Sequence, residues 1–362
     1  YRSNLVKNLG VFVLGDQPGT EGNPFRISTE EDLLALSSGN YSDLQDYPYF
    51  LVDSDIVVTS NWTPIEQFSG HFDGGNHTIT FTYEPDDYSY MGGFFSVISN
   101  ATVCNLNLVC NIIINGYAGG LATYAESSLI YNCTVSGSIY NSFYPEQMGY
   151  CGGVVASAYN TTFYKCVNMA DVEMQSRQVG LNTGGIVGDG TGLIIRSCTN
   201  LGNIWGYPDQ GSVGGIIGEA DSVSIVSCAN YVSISCEGSE PGGIAGNINN
   251  STLTDCANYG NNPLAEMSRE TEFTNNIVIP VNLDSFSEGS KTEVTFNHLI
   301  IPNGFGGGDA GYYQDGTFHA ENNYTDKQII TIAGGSSSFV PMLTSELISG
   351  TGLDADKWIF GD

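Results

Sequence analysis

Basic side chains are scarce in this sequence. Only 10 of the 362 residues are Lys or Arg, against 39 Asp or Glu, and the formal net charge is −29. Proteins that bind nucleic acid or anionic lipid do so through clustered Lys and Arg. We therefore exclude nucleic acid and anionic membrane surfaces as partners. Long apolar runs are also missing, since none approaches the roughly 18 residues of a membrane-spanning helix, and we predict no membrane-spanning segment.

The sequence also lacks the common catalytic and metal-binding motifs. It contains no His-Glu-x-x-His zinc-protease motif, no Gly-x-Ser-x-Gly elbow and no Gly-x-x-x-x-Gly-Lys phosphate loop. Neither Cys-x-x-Cys nor a Cys/His grouping indicates zinc, and we assign His71 and His77 structural roles at a turn. Asp309 and Asp315 lie in a Gly-rich stretch and offer carboxylates to calcium, but a solvated loop explains them better. We predict no catalytic residues, no metal and no cofactor, with calcium as an open option.

Glycine, by contrast, is abundant, and much of it belongs to a repeat. Six Gly-Gly pairs followed by apolar residues begin at Gly92, Gly119, Gly152, Gly184, Gly214 and Gly242. In the last five units a cysteine lies 14 residues after the first glycine, at Cys133, Cys166, Cys198, Cys228 and Cys256. Four of these cysteines are followed two residues later by asparagine, at Asn168, Asn200, Asn230 and Asn258. A fixed phase at several positions indicates that one structural unit repeats along the chain.

Each repeat holds two or three short apolar runs separated by Gly, Asn and Ser, which is typical of strands and turns. One repeat then forms one coil of a solenoid, with equivalent residues about 4.8 Å apart in adjacent coils. The Leu-x-x-Leu-x-Leu spacing of leucine-rich repeats and the Trp-Asp signature of propellers are absent. The sequence therefore predicts an all-β fold, a parallel β-helix.

The repeated positions have expected roles in such a coil. Gly-Gly supplies either a positive φ or a close backbone approach at a corner. Asparagine tolerates left-handed geometry, and an asparagine column can also bond amide to amide along the stack. The column cysteines are too far apart for disulfides, whose Cβ atoms prefer about 3.8 Å, so we expect buried free thiols. The pairing of Cys110, Cys151 and Cys236, which lie outside the column, stays open.

A short helix is predicted before the repeat. The segment 28–36 offers a polar cap, then acidic residues in the first turn, then an apolar run. Such a helix would cover the first coil, whose unpaired strand edges otherwise invite aggregation.

The lead-in and the coils together resemble a known family. The segment from Phe68 to Ile79, followed by Gly-Gly-apolar coils, is similar to the GLUG-motif proteins, which are bacterial surface or secreted chains. Similar repeats occur in non-catalytic regions of immunoglobulin A proteases. The resemblance implies a right-handed parallel β-helix like those of the pectin-lyase superfamily, and a secreted or cell-surface location. The family usually has Gly at the fifth place of the motif. Gly188, Gly218 and Gly246 match that place, whereas three earlier coils differ, with Ser96, Thr123 and Ala156.

We interpret residues 1–362 as a single β-helix domain. Its expected parts are a cap with lead-in coils over 1–90, regular Gly-Gly/Cys coils over 91–262 and irregular coils over 263–362. We expect a monomer or a part of a larger chain.

Two loops that follow the cysteine strands carry the best candidate ligand contacts. They lie two coils apart, so stacking would place them on one face, roughly 10 Å from each other. Aromatic faces beside carboxylates suit sugar rings, although the same rings would also cover a coil edge. The candidate residues are Tyr140, Phe143, Tyr144 and Glu146 in one loop and Trp205, Tyr207 and Asp209 in the other.

The sequence therefore favours a non-enzymatic, adhesin-like surface or secreted module that binds glycans or host proteins. The first alternative is a polysaccharide lyase or glycoside hydrolase, because β-helices of the resembled superfamily often process polysaccharides. A paired set of carboxylates in a groove would distinguish it. The second alternative is a structural stalk or non-catalytic region of a larger surface protease.

Overall fold

The structure is a computed structural model that describes most of the chain between residues 19 and 278 and four short strands beyond it. The described residues are 19–38, 48–85, 89–141, 149–175, 181–206, 211–237, 241–260, 262, 264–269, 271–274, 276–278, 293–295, 318–319, 323–326 and 339–342. Asp309 and Asp315 lie outside them.

Each coil passes in turn through four parallel sheets, which we label A to D. A coil that begins at a Gly-Gly pair meets sheet C first and then sheets D, A and B. Sheet A has 12 strands: Phe25–Ile27, Tyr49–Val52, His71–Asp73, Thr102–Cys104, Leu129–Tyr131, Thr162–Tyr164, Ile194–Arg196, Ser224–Val226, Thr252–Thr254, Glu272–Thr274, Glu293–Thr295 and Phe318–His319. Sheet B has 11 strands: Ile56–Asn61, Thr78–Tyr83, Asn107–Ile114, Thr134–Asn141, Val167–Met174, Thr199–Asn200, Ile204–Gly206, Ala229–Asn230, Ser235–Cys236, Ala257–Asn258 and Ile277–Val278.

The Gly-Gly pairs lie at the junction of the other two large sheets. Sheet C has five strands: Met91–Gly92, Tyr117–Gly119, Cys151–Gly152, Thr183–Gly184 and Val213–Gly214. Sheet D has eight: Ile65–Phe68, Phe95–Ser99, Ala122–Glu126, Val155–Tyr159, Val187–Thr191, Ile217–Asp221, Ala245–Asn249 and Ala265–Arg269. A separate parallel pair joins Asn323–Asp326 to Phe339–Met342. Stacked parallel sheets of this kind make a β-solenoid, and the predicted fold class is confirmed.

The helix spans Glu30–Ser38 and has the predicted cap. The Thr29 hydroxyl accepts a hydrogen bond from the Asp32 amide at 3.2 Å, and Asp32 Oδ2 accepts one from the Thr29 amide at 3.0 Å. This reciprocal pair satisfies amide donors that the first turn of a helix leaves free. No helix among the described residues is long and apolar enough to cross a membrane.

The interior consists of columns of side chains in register. The apolar residue three positions before each column cysteine is fully buried in sheet A: Ile130, Phe163, Ile195, Ile225 and Leu253. The cysteines form the adjacent column, and four of their five thiols donate to a carbonyl of the preceding coil, as from Cys166 Sγ to the Ile130 oxygen at 3.5 Å. All nine cysteines are free, and only Cys236 is partly exposed. The prediction of buried free thiols is therefore confirmed.

The corner residues differ from the prediction in one respect. Neither left-handed position of a coil is the asparagine of the repeat: one lies between sheets D and A, as at Asn160 and Ser222, and the other is the residue directly before each column cysteine. There φ is between 53° and 54°, at Asn132, Lys165, Ser197, Ser227 and Asp255. The repeated asparagines lie inside the coil, fully buried, and form the predicted amide ladder: Asn168 Nδ2 donates to Asn200 Oδ1 at 2.8 Å, and Asn200 Nδ2 donates to Asn230 Oδ1 at 2.9 Å. These asparagines stabilise the coils through internal hydrogen bonds and do not adopt a positive φ.

Candidate functional site

The structure describes two of the seven predicted ligand-contact residues. Tyr140 and Trp205 occupy one column of sheet B, with Glu173 between them in the intervening coil. All three side chains are partly exposed. The other five, Phe143, Tyr144, Glu146, Tyr207 and Asp209, lie outside the described residues. For Tyr140 and Trp205 the expected shared face is present, and the carboxylate beside them comes from Glu173, which the sequence analysis did not single out.

A larger concave surface lies elsewhere, along sheets C and D of the early coils. This groove has a volume of about 960 Å³ and is lined by residues of four successive coils. Four tyrosines line it, Tyr83, Tyr90, Tyr117 and Tyr124, together with hydroxyl-bearing residues that include Ser89, Ser96 and Ser157. Tyr90 is 42% exposed, and the Tyr83 hydroxyl lies 2.8 Å from Ser89 Oγ. We call this surface the tyrosine groove.

The groove coincides with departures from the repeat. In later coils the fifth place of the motif is Gly188 or Gly218, where a Cβ atom would lie 2.6 Å from the Ala156 oxygen or 2.5 Å from the Gly188 oxygen. Real Cβ atoms do not approach so closely, so the corner is closed there and accepts only glycine. In the early coils Ser96 and Thr123 fit at that place, and both line the groove. Two of the three residues that break the motif thus line the groove, whereas the third, Ala156, is fully buried and does not.

A pair of carboxylates lies farther along the same face. Asp189 and Glu219 are in register on adjacent strands of sheet D, and both accept a hydrogen bond from Asn182 Nδ2, at 2.9 and 2.7 Å. The separation of the two acceptor oxygens therefore cannot exceed about 5.6 Å. The Asn182 side chain is buried, and its Oδ1 accepts from the Ser212 amide at 3.1 Å, which fixes its orientation.

The two carboxylates occupy an unusual electrostatic environment. Burial raises the pKa of Asp189 to about 6, the hydrogen bond from Asn182 opposes that rise, and the nearby charge of Glu219 adds to it. Burial also raises the pKa of the Tyr150 hydroxyl, to which the charge of Asp189 contributes. A carboxyl group that retains its proton near pH 6 can act as an acid beside a second carboxylate that acts as a base or nucleophile.

The tyrosine groove and the carboxylate pair belong to one continuous surface. The column of sheet D that contributes Tyr124 and Ser157 to the groove continues in register to Asp189 and Glu219. On sheet C the Tyr117 ring contacts the Tyr150 ring edge-to-face, with centroids 5.3 Å apart. At about 4.8 Å per coil, a chain-like ligand in the groove would reach the carboxylate pair without leaving the surface.

The sequence analysis missed this surface, although the repeat carries a signal for it. Asp189 and Glu219 each lie five residues after the first glycine of their Gly-Gly pair. Tyr117, Tyr150 and Asn182 each lie two residues before theirs. Acidic residues are so frequent in this sequence that a pair is uninformative until the repeats are aligned and its members are seen at equivalent positions.

Comparison with known structures finds several structural likenesses. No protein-family profile matches the chain, and no curated protein matches it either. A candidate immunoglobulin A1 protease from Bacteroides ovatus aligns at a TM-score of 0.44 and 18% identity, over 91% of this chain and 87% of that one. An IgA1 protease aligns at a TM-score of 0.47 and 17% identity, over 72% of this chain and 22% of that one. The chain thus spans about a fifth of the second protein, and the likeness to GLUG-motif proteins stays an expectation.

Proposed function

We propose that this chain is a glycan-recognition module, secreted or at the cell surface, and that the tyrosine groove is its binding site. The observation that carries the proposal is a groove of about 960 Å³ whose lining combines tyrosine rings with hydroxyl groups. Tyrosine presents an apolar face to the C–H face of a sugar and a hydroxyl to its polar edge. The acidic surface favours neutral over polyanionic glycans, because a net charge of −29 repels the latter.

The column of Tyr140, Glu173 and Trp205 is a second, flatter contact surface for the same class of ligand. It lies on sheet B, whereas the groove lies on sheets C and D. Its two rings are two coils apart with a carboxylate between them. Such a spacing suits an extended glycan chain that follows the solenoid axis. The other partner that we consider for this second surface is a surface protein of a host.

Replacing Tyr90 or Tyr124 with Ala is expected to weaken glycan binding about tenfold, because an aromatic contact contributes about 0.5–1.5 kcal/mol beyond its buried area. The measurement is an array of plant and host polysaccharides, probed with calcium and with chelator, followed by titration of each glycan that binds. Tyr231→Ala is the matched control, since Tyr231 is 51% exposed but stacks on Tyr259, outside the groove. Equal losses in all three variants would contradict the groove assignment. Trp205→Ala tests the second surface in the same titration.

The carboxylate pair supports a second candidate function, hydrolysis of the bound glycan. The upper limit of about 5.6 Å on the separation of the two oxygens is shorter than the roughly 6.5–9.5 Å of inverting glycosidases and fits the roughly 5–5.5 Å of retaining ones. Asp189, with its raised pKa, would be the acid that protonates the leaving oxygen. Glu219 would be the nucleophile.

If the pair is catalytic, cleavage proceeds with retention of anomeric configuration and its rate falls as pH rises through about 6, because Asp189 then loses its proton. We expect Asp189→Asn to abolish cleavage while leaving binding in the tyrosine groove intact. Asp221→Asn is the control, since Asp221 lies on the same strand as Glu219 but accepts from Asn250 instead. The measurement is product analysis of every glycan that binds on the array. Binding without products would support the recognition module and contradict the enzymatic function.

A further inference from the structure

We propose that His71, Asp73 and Cys104 form a binding site for one divalent cation of the zinc class. The three residues come from neighbouring strands of sheet A, His71–Asp73 and Thr102–Cys104. Asp73 and Cys104 face each other in register. One ligand atom from each residue lies within 4.8 Å of the other two. The site is separate from the tyrosine groove and does not depend on the function proposed above.

Strand geometry explains why these side chains meet outside the core. Phe72, between the two ligands on its strand, is fully buried and points inward, so His71 and Asp73 point outward. The inward partner of Phe72 in the next coil is Val103, which places Cys104 on the outward side as well. Cys104 is thus not a member of the cysteine column, where its coil has the buried Leu106. Cys104 is fully buried, but it does not belong to the apolar core cluster, and its sulfur lies beside His71 and Asp73.

The distances suit a tetrahedral ion. Cys104 Sγ lies 3.7 Å from His71 Nε2. With bonds of about 2.3 Å to sulfur and 2.0–2.1 Å to nitrogen, two ligand atoms on a tetrahedral zinc ion lie about 3.5 Å apart. Zinc accepts nitrogen, oxygen and sulfur ligands, and a site with three protein ligands leaves the fourth position open. A thiolate and a carboxylate together balance the charge of the cation.

Surrounding contacts hold two of the ligands in place. Asp73 Oδ1 accepts from the Gly75 amide at 2.9 Å and from Asn105 Nδ2 at 3.0 Å, and these bonds hold the carboxylate in place. Asn105 is held in turn by Asn132, whose Nδ2 donates to its Oδ1 at 3.1 Å. Partners of this kind orient metal ligands and are a regular part of metal sites.

The imidazole and the thiol also have partners. The Tyr49 ring stacks on the His71 ring, with centroids 4.9 Å apart and planes inclined by 22°. Tyr131 faces Cys104 in register from the next coil. The site is therefore built from four successive strands of sheet A. A bound cation would join the lead-in coils to the first coil of the repeat.

The test is titration of the chelator-stripped full chain with Co²⁺ and Zn²⁺. We expect one equivalent to bind, with a Co²⁺–thiolate charge-transfer band and a higher melting temperature. Cys104→Ser and Asp73→Asn are each expected to lose more than 100-fold in affinity. Asn105→Gly, which keeps the positive φ of 51° at that position, is expected to lose about 10- to 100-fold.

Two variants serve as controls. His77→Gln removes a nearby imidazole that pairs with Asp55 instead, and Cys236→Ser removes the partly exposed thiol. Both are expected to bind as the wild type does. A band that survives Cys104→Ser, or one that disappears in Cys236→Ser, would overturn the proposal. So would X-ray absorption of the wild-type zinc complex without one sulfur at about 2.3 Å, a readout that requires no variant to fold.

Discussion

Replacing Asn200 with Ala is expected to lower the free energy of unfolding by about 3–5 kcal/mol. The side chain is fully buried in the amide ladder. Its Nδ2 donates to the Gly202 oxygen at 3.1 Å and to Asn230 Oδ1 at 2.9 Å, and its Oδ1 accepts from Asn168 at 2.8 Å. Each partner left buried without its bond costs about 1–3 kcal/mol, and the vacated space adds to that. Chemical denaturation followed by circular dichroism measures the change.

Two further variants separate the ladder from a general loss of polarity. Asn203→Ala removes an exposed asparagine of the same coil that bonds Asp171, and we expect a change within about 0.5 kcal/mol. Asn200→Asp keeps the shape but removes both donor hydrogens, so an anion faces two acceptor oxygens. We expect it to be at least as destabilising as Ala at neutral pH and less so in acid, where protonation restores one donor. Similar stability of the Asn200→Ala and Asn203→Ala variants would contradict the role given to the ladder.

The repeat made much of the fold predictable, because each coil must place equivalent residues in equivalent surroundings. Phase alone identified the inward column that contains Ile195, the thiol column that contains Cys198 and the amide ladder through Asn200. The helix cap was equally readable, since Thr29 and Asp32 satisfy a local rule. These features depend on residues close in sequence or one repeat apart.

Features that depend on tertiary closeness were not predictable in the same way. The left-handed corner is occupied by residues as different as Lys165, Ser197 and Asp255, because any side chain that points to solvent is accepted there at a modest cost. His71 and Cys104 lie 33 residues apart, outside the spacing of sequence motifs for zinc. His71 lies in the lead-in coils, and Cys104 lies two residues before the place of the column cysteine in its own coil.

Departures from the repeat concentrate the candidate chemistry. Regular coils close the fifth place of the motif so tightly that only glycine fits there. Ser96 and Thr123 in place of glycine accompany the tyrosine groove. Asp189 and Glu219, by contrast, lie in regular coils. Stacking in register brings these two acids together at Asn182. Identical columns of side chains thus stabilise the solenoid. The candidate site residues lie at positions where neighbouring coils differ or carry charge.

Gly185→Ala is the second substitution with a large expected effect, a loss of more than about 3 kcal/mol. Gly185 is not among the positive-φ glycines of the described residues, so close approach rather than backbone conformation explains it. A Cβ atom there would overlap the Gly215 carbonyl oxygen of the next coil and lie 2.6 Å from Asn200 Oδ1. The two coils would have to separate, which breaks both the corner and the ladder.

Gly22→Ala is the matched control for that substitution. A Cβ atom at Gly22 meets no other atom within 4 Å, and loss of glycine reduces the entropy of the unfolded chain, so we expect stability to be unchanged or raised by about 0.4–1 kcal/mol. Thermal and denaturant unfolding of both variants measure the difference. If Gly185→Ala unfolded with the wild-type midpoint, the coils would be spaced more widely than the corner geometry requires.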